Sequence, residues 1–361
     1  MTSTASSPTP STMTAALYYG AHDIRIEKVP VPTPAPGEVL IRVLRSGICG
    51  TDASEWVSGP KTFPVARRHP ASQHLGPLIP GHEFVGEIVE SHDVAEVACG
   101  TMVASGAGIW CGHCPRCRQG RTNLCRDYRT LGLNVHGAMA EYVCAPARIL
   151  RPVPAGMSAD HAALAQPLAV GIHAARRCGA QDGDQVVVIG AGAVGSFILA
   201  GLRHIADVEI IVVDFPGARL ERALRIGADH TLTPSRTLAD DVTELLKGRR
   251  PDVVIEASGA PGQLGTAIEM VADGGRILAV GIPTAPTTID LRTMVLREIT
   301  IDSTLAHICD TDLPAALAVL GDSQLGEEFV ETPLPLADLG LSMERLAAGQ
   351  VEGKILINPS V

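Results

Sequence analysis

The chain has 361 residues, which suits two domains better than one. Apolar residues make up 46% and aromatics only 3%, so Val, Ile, Leu and Ala must fill the cores. A net charge of -10 with no block of like charge argues against nucleic acid or an anionic membrane surface as partner. Nine cysteines, irregularly spaced outside one cluster, fit reduced cytoplasmic thiols better than a secreted disulfide framework.

The opening MTSTASSPTPST is polar, rich in Ser and Thr, and lacks the apolar core of a signal peptide. It predicts a disordered leader over residues 1–12, with Met13 as a candidate start. From Ala15 to about Gly156 the pattern is β-rich: VLIRVLRSGICG and HEFVGEIVES read as strands ended by turns, after a proline-stiffened connector VPVPTPAPG. Cys49 ends the first of these runs, and His82-Glu83 opens the second. Each residue alone has a bland reading, a buried thiol or a surface imidazole. Cys, His and Glu are also suitable zinc ligands, and all three lie near glycine turns.

The run CGHCPRCRQGRTNLC follows, with Cys111, Cys114, Cys117 and Cys125 in the pattern C-x2-C-x2-C-x7-C. Four thiolates this close in sequence converge on one tetrahedral ion. Zinc is the default guest of an all-sulfur cage, and a full cage leaves no open position for chemistry. The expectation is a structural zinc site. The alternative is a disulfide-stapled loop, and His113 is a competing ligand or a solvent-facing turn residue.

From about Ala165 the pattern changes. QVVVIG, VEIIVVD, HTLT, DVVIEAS, GRILAVG and EITIDST are short β-type runs, most of them separated by helical stretches such as SFILAGLRHI and GARLERALRIGA. Strands alternating with helices predict βαβ units and a doubly wound parallel sheet. QVVVIG runs into Gly190-Ala191-Gly192-Ala193-Val194-Gly195, and Asp214 ends VEIIVVD. A G-x-G-x-x-G that follows a strand, opens a helix and is trailed by an acidic residue marks a Rossmann dinucleotide site. Gly190 permits the tight turn, Gly192 lets backbone approach a pyrophosphate, Gly195 lets helix and strand pack closely, and Val194 lies in the same turn. Asp214 would accept from the ribose hydroxyls and repel a 2′-phosphate, so the expected cofactor is NAD, with Arg219 the one basic residue nearby. The uncharged apolar stretch from Val186 to Leu202 approaches a membrane span in length, but its glycines belong to this turn. The tail from about Cys309 has helical pieces and ends on KILIN.

The order GICGTD, GHEFVGEIVE, the four-cysteine cluster, and GAGAVG with its downstream Asp resembles the zinc-dependent medium-chain dehydrogenase/reductase family. VIEASGAP, GGRILAVGIP and GKILINP are similar to its sorbitol- and butanediol-dehydrogenase-like branch. The resemblance implies a GroES-like catalytic domain over residues 13–164 and 309–361, carrying the structural zinc lobe, and a Rossmann domain over residues 165–308. It implies two zinc ions per chain. Cys49 and His82 become ligands of a catalytic zinc, and Glu83 a ligand or close neighbour. Asp52 becomes the carboxylate that orients the ligating imidazole, and Thr51 the hydroxyl that relays the alcohol proton. The implied activity is NAD-linked interconversion of a secondary alcohol (polyol, diol or cyclitol-like) and its ketone, in a homodimer or homotetramer. Alternatives are an amino- or deoxy-sugar alcohol dehydrogenase and a non-catalytic NAD-binding protein that keeps the fold. Two positions depart from the family's pattern. Gln166-Pro167-Leu168 stands where relatives of this branch carry Glu-Pro-Leu, and Ser54 where many carry a histidine. The long segment between Cys49 and His82 is expected to form a loop over the substrate mouth, with His69 and His74 as candidate contacts.

Overall fold

The computed structural model describes residues 9–94 and 97–361. The leader expected over residues 1–12 lies outside the described residues up to residue 8. At its other end Thr12 already belongs to a strand, because it pairs with Pro30.

In chain order, β1 (Thr12–Gly20) and β2 (Asp23–Pro30) form a hairpin, followed by β3 (Glu38–Gly47), α1 (Gly50–Ser58), β4 (Glu83–Ser91) and β5 (Met102–Ser105). A small lobe holds β6 (Gly108–Ile109), α2 (Pro115–Arg118) and β7 (Arg129–Thr130). Next come β8 (Tyr142–Pro146), β9 (Leu150–Pro152), α3 (Ala159–Ala162) and α4 (Ala165–Cys178). The alternating segment is β10 (Gln185–Ile189), α5 (Ala193–Ile205), β11 (Glu209–Val213), α6 (Ala218–Ile226), β12 (His230–Leu232), α7 (Leu238–Leu245), β13 (Val253–Glu256), α8 (Gln263–Met270), β14 (Arg276–Ala279), α9 (Leu291–Leu296) and β15 (Thr300–Ser303). The tail adds α10 (Cys309–Asp322), α11 (Leu325–Phe329), β16 (Leu334–Pro335), α12 (Leu339–Ala347) and β17 (Leu356–Asn358). The chain divides into two compact units, one made of residues up to 166 together with 308–361, the other of residues 167–307.

The first unit is built on a seven-stranded sheet of order β16-β17-β3-β4-β5-β9, with β8 also paired to β3. β3 is its centre. Val39, Leu40, Ile41 and Val43 are buried because other elements cover both faces of this strand. Its register matters for function: Gly47 at its end lies opposite Glu83 of β4 on one side and opposite Leu356 of β17 on the other. Three segments far apart in sequence therefore meet at one glycine.

The loop leaving α1 is pinned from inside. Glu55 is buried, and its carboxylate accepts backbone N–H groups from Lys61 at 2.9 Å, from Thr62, and from Phe63 at 3.4 Å. The Tyr18 hydroxyl donates to the Glu55 carbonyl at 2.8 Å, and the Tyr18 ring packs edge-on against Phe63. A buried carboxylate is tolerated here because backbone amides satisfy it.

The second unit is a six-stranded parallel sheet of order β12-β11-β10-β13-β14-β15, as the βαβ pattern predicts. Side chains alternate between two cores. Val186, Val188, Ile210, Val212 and Ile255 pack on one face with Ile198, Leu199 and Leu202 of α5; Val187, Ile189, Ile211, Val254 and Ile277 pack on the other with residues of α7 and α8. Burial on both faces explains why these strands read as continuous apolar runs. The stretch from Val186 to Leu202 is a strand, a turn and a helix, and no helix among the described residues is long and apolar enough to cross a membrane. Successive strands β10, β11 and β12 run out from the middle one way, and β13, β14 and β15 the other. The crevice between β10 and β13 is the point where the order reverses, the place where such sheets bind ligands.

Glu55→Ala strips the amide partners from the 61–63 turn. The expected result is a loss of about 2–3 kcal/mol, seen as a lower urea midpoint, together with faster proteolysis within residues 60–64. Unchanged values of both would show that the clamp does not hold the loop.

Candidate active site

The site grows from the ends of β3 and β4. Cys49 is the residue preceding α1, in extended conformation, and its N–H donates to the Asp52 carboxylate Oδ2 at 2.9 Å. This local bond starts the helix and fixes the thiol at its N-terminus. Thr51 follows within the first turn, its Oγ1 3.9 Å from the Cys49 sulfur. His82 and Glu83 enter with β4, and both are buried. One donor atom each from Cys49, His82 and Glu83 lies within 4.8 Å of the others, a span that one metal ion bridges. The structure thus brings together the three residues that the sequence offered as a ligand set.

Two further side chains complete the cluster. The Asp52 Oδ1 faces His82 Nδ1 at 3.7 Å, and neither atom has a hydrogen-bond partner among the described residues. That is the arrangement of a carboxylate steering an imidazole. Lys354, just before β17, places its ammonium 2.5 Å from Glu83 Oε2, and both groups are buried. The space for this pair exists because residue 47 is glycine: a Cβ there would lie 2.6 Å from Glu83 Oε2 and 3.3 Å from Lys354 Cε. Sequence reasoning missed Lys354. The only available signal was a lone lysine inside the apolar tail segment, and no spacing rule links it to a residue some 270 positions earlier.

The electrostatics point to a cation. Burial pushes the Asp52 carboxyl up, against the pull of His82. Burial works against a charged His82 ring, yet Asp52, Cys49 and Glu83 outweigh it and hold the imidazolium up to about 10. Burial likewise opposes the Lys354 charge, and Glu83 more than restores it. A bound metal takes Cys49 as thiolate and His82 as neutral imidazole; three anions then face a single ammonium. The surplus of two negative charges equals the charge of one divalent ion, so the residues fit a bound zinc.

The four cysteines of the small lobe also converge. Their sulfurs lie within 4.8 Å of one another, Cys111 to Cys117 at 4.0 Å and Cys114 to Cys117 at 3.5 Å. Backbone N–H groups of Cys111, Cys114 and Asp127 donate to these sulfurs at 3.3–3.4 Å. Backbone amides draw the Cys114 thiol down to about 6, whereas burial lifts Cys117 to about 12. A single ion removes that imbalance by binding all four as thiolates. None of the nine cysteines is in a disulfide. His113 is exposed, and its Nδ1 lies 3.0 Å from the Cys111 carbonyl.

In the second unit the glycine turn joins β10 to α5. Gly190 has φ +103°, which favours glycine. A Cβ on Gly195 would fall 1.8 Å from the Gly190 carbonyl, so only glycine lets the helix come this close. A Cβ on Gly192 would meet nothing, which leaves the backbone before α5 open to a ligand. Val194 lies in the first turn of α5, partly exposed. Asp214 follows β11, and its carboxylate accepts from Ala191 N–H at 2.6 Å and from Phe215 N–H at 2.7 Å. The two halves of the fingerprint are therefore adjacent.

Residues 35–155 match the alcohol dehydrogenase GroES-like domain, and residues 193–320 match the zinc-binding dehydrogenase family. The chain is 32% identical to the (R,R)-butanediol dehydrogenase of Neisseria gonorrhoeae, over 97% of this chain and 100% of that protein. It belongs to the zinc-dependent medium-chain alcohol dehydrogenase family. It is also 30% identical to the erythritol/L-threitol dehydrogenase of Mycolicibacterium smegmatis, over 98% of this chain and 100% of that one. The crystal structure of 2R,3R-butanediol dehydrogenase from Bacillus subtilis superposes with a TM-score of 0.87 at 30% identity, over 96% of this chain and 99% of that chain.

The residues at which this family member departs from its relatives are now placed. Gln166 is buried in the first turn of α4. Ser54 is exposed on α1 and receives a hydrogen bond from Lys61 Nζ at 2.7 Å. His69 and His74 are tied into their own loop. Ser72 N–H donates to His69 Nδ1 at 3.1 Å, while His74 Nε2 lies 3.3 and 3.2 Å from the carbonyls of Gly76 and Pro77. Both therefore have structural work within that loop.

Lys354→Met leaves the Glu83 carboxylate buried without its ion pair. Breaking a buried pair from one side costs about 3–5 kcal/mol. The expected result is a matching drop in unfolding free energy, with Lys354→Arg restoring most of it. A methionine variant as stable as the wild type would refute the assignment of a charged pair.

Proposed function

We propose that this chain oxidises a secondary hydroxyl of a small diol or polyol to the ketone, with NAD as hydride acceptor and release of one proton, and runs the reverse reduction. The observation that carries the reading is the convergence of half-buried Cys49 with buried His82 and Glu83, which together with Asp52 and Lys354 leaves a surplus of two negative charges when a metal is bound. When bound there, zinc supplies the Lewis acidity that makes an alcohol proton labile near neutral pH, and NAD supplies the hydride acceptor.

The chain's own residues do the rest. Cys49 and His82 hold the metal, and Asp52 fixes the ring of His82 by facing Nδ1. Lys354 neutralises Glu83 and holds its Oε2. Thr51, one short helical step from Cys49, offers a hydroxyl that accepts the substrate proton while passing its own onward. In the second unit, Gly190, Gly192, Val194 and Gly195 form the pyrophosphate turn. Asp214 offers its carboxylate to the ribose 2′- and 3′-hydroxyls, which favours NAD over a 2′-phosphorylated coenzyme. Cys111, Cys114, Cys117 and Cys125 hold a second zinc with no position left for substrate, so its role is to tie the small lobe together. The substrate class follows from the relatives, a butanediol and an erythritol/threitol dehydrogenase.

The assembly is read as a homo-oligomer. β15 is the edge strand of the parallel sheet. In the segments flanking it in sequence, Ile282, Leu291, Val295, Leu296 and Leu305 are exposed, apolar surface that a second copy of the chain would cover.

Metal content, turnover, melting and particle mass test this reading. Purified protein is expected to contain two zinc ions per chain and to form NADH from vicinal diols or tetritols. Cys49→Ser should lose one zinc and drop in rate by about 10³-fold or more while remaining folded. Cys114→Ser should lose the other zinc and melt earlier. Full zinc with no turnover on any diol or polyol, or zinc in the cysteine tetrad alone, would sink the catalytic reading. In light scattering, Val295→Glu combined with Leu296→Glu is expected to halve the particle mass or reduce it further; an unchanged mass would remove this face from the interface.

A further inference from the structure

The first unit holds a hollow that the catalytic reading does not use. It measures about 420 Å³ and lies between the β1–β2 hairpin, β7, β8 and the segment leading to His82. Met13, Leu17, Val29, Ile79, Leu131 and Val143 give it apolar walls. None of Cys49, Thr51, His82, Glu83 or Lys354 lines it, so it is separate from the metal cluster. Its size and lining are those of a small-molecule site.

Three polar side chains of the lining have donors to spare. Arg129 is half-buried on β7, and its guanidinium has no hydrogen bond or ion pair among the described residues. Tyr142 opens β8, and its hydroxyl has no hydrogen-bond partner among them either. His136 Nδ1 accepts the N–H of Ile79 at 3.1 Å, so the ring is neutral and carries its proton on Nε2. The ring packs edge-on against His74, and its Nε2 has no hydrogen-bond acceptor among the described residues. Glu38 is the carboxylate of the lining, and it accepts the N–H of Ala35 at 3.1 Å. Arg129 and Glu38 also border a second hollow of about 540 Å³, whose wall includes Asp93 and Arg148. Arg148 is already engaged there, bonded to the Trp110 carbonyl and stacked over its ring. Arg129 is thus an unanswered cation at the boundary between an apolar space and a polar one.

We propose that this hollow binds an amphiphilic monocarboxylate, with its apolar tail against β1, β2 and β8 and its carboxylate on Arg129, Tyr142 and His136. A guanidinium fork matches a carboxylate with two parallel hydrogen bonds. The charges decide the class of ligand. One unpaired cation beside Glu38 answers one negative charge. A second carboxylate at the far end of the ligand would be buried against apolar walls without a partner, which is costly. The site does not depend on the catalytic metal or on NAD.

The test is calorimetric titration of the full chain with octanoate and, separately, with octanedioate. Wild type, Arg129→Met, Leu17→Trp and Cys49→Ser are compared after circular dichroism has checked their fold. Octanoate is expected to bind wild type with a Kd on the order of 0.1–1 mM. Arg129→Met should weaken it about 10-fold or more. Leu17→Trp, which fills the apolar end, should weaken it as well. Octanedioate should bind about 10-fold more weakly than octanoate. Cys49→Ser should bind octanoate as wild type does, because the catalytic metal takes no part. No saturable binding of octanoate up to about 10 mM overturns the proposal. Binding lost in Cys49→Ser but kept in Arg129→Met overturns it too, since the carboxylate would then sit on the catalytic metal. So does octanoate binding that neither Arg129→Met nor Leu17→Trp weakens, or octanedioate binding as tight as octanoate.

Discussion

Charge compensation around Gly47 is the constraint on which the catalytic unit depends. Cys49, Asp52 and Glu83 bring negative charge into a place from which water is largely excluded, and Lys354 is the one fixed positive partner described there. Such a cluster is costly unless each charge is answered. The protein answers it by convergence. β3 supplies the glycine that makes room, β4 supplies His82 and Glu83, α1 supplies Cys49 and Asp52, and the C-terminal strand carries Lys354 back to the start. The tail is therefore needed to balance the site, which gives a physical reason for a catalytic domain assembled from both ends of the chain.

The nucleotide-binding unit solves a different problem with related means. Its ligand is an anion, and what it offers is backbone with nothing in the way. Gly190 and Gly195 are close to each other because neither has a side chain, and Gly192 leaves space before α5. Asp214 then does two jobs. It braces the turn through Ala191, and in the proposed reading it is also the acceptor for the ribose. A carboxylate already held by two backbone amides is preorganised, and a ligand need not spend binding energy on orienting it.

Much of this was legible in the sequence because the relevant signals are local. The four inner strands β10, β11, β13 and β14 announced themselves as apolar runs, since they are largely buried on both faces. The four cysteines and the glycine turn each fall within 15 residues of chain. Cys49, His82 and Glu83 were readable as a set through their order relative to the other motifs. What stayed hidden is non-local. The ion pair of Lys354 with Glu83 depends on β17 lying beside β3, which no periodicity reveals. Nothing in the sequence singles out Glu55, yet it is buried and three amides of the following loop turn back onto it. The β1–β2 hairpin was not separated from the general β-rich pattern, because β2 is largely polar and ends in the proline-rich connector. His69 and His74 drew attention as a histidine-bearing stretch, and their hydrogen bonds to neighbouring loop atoms account for them.

The same charge balance gives a meaning to Gln166. The resemblance puts a glutamate of the branch beside the metal at this position. In this chain the thiolate and the two carboxylates, less the ammonium of Lys354, already match one divalent ion. A further carboxylate would overshoot by a full charge in a buried setting, where each unpaired charge is expensive. An amide in that place adds polarity and hydrogen-bonding capacity without adding charge.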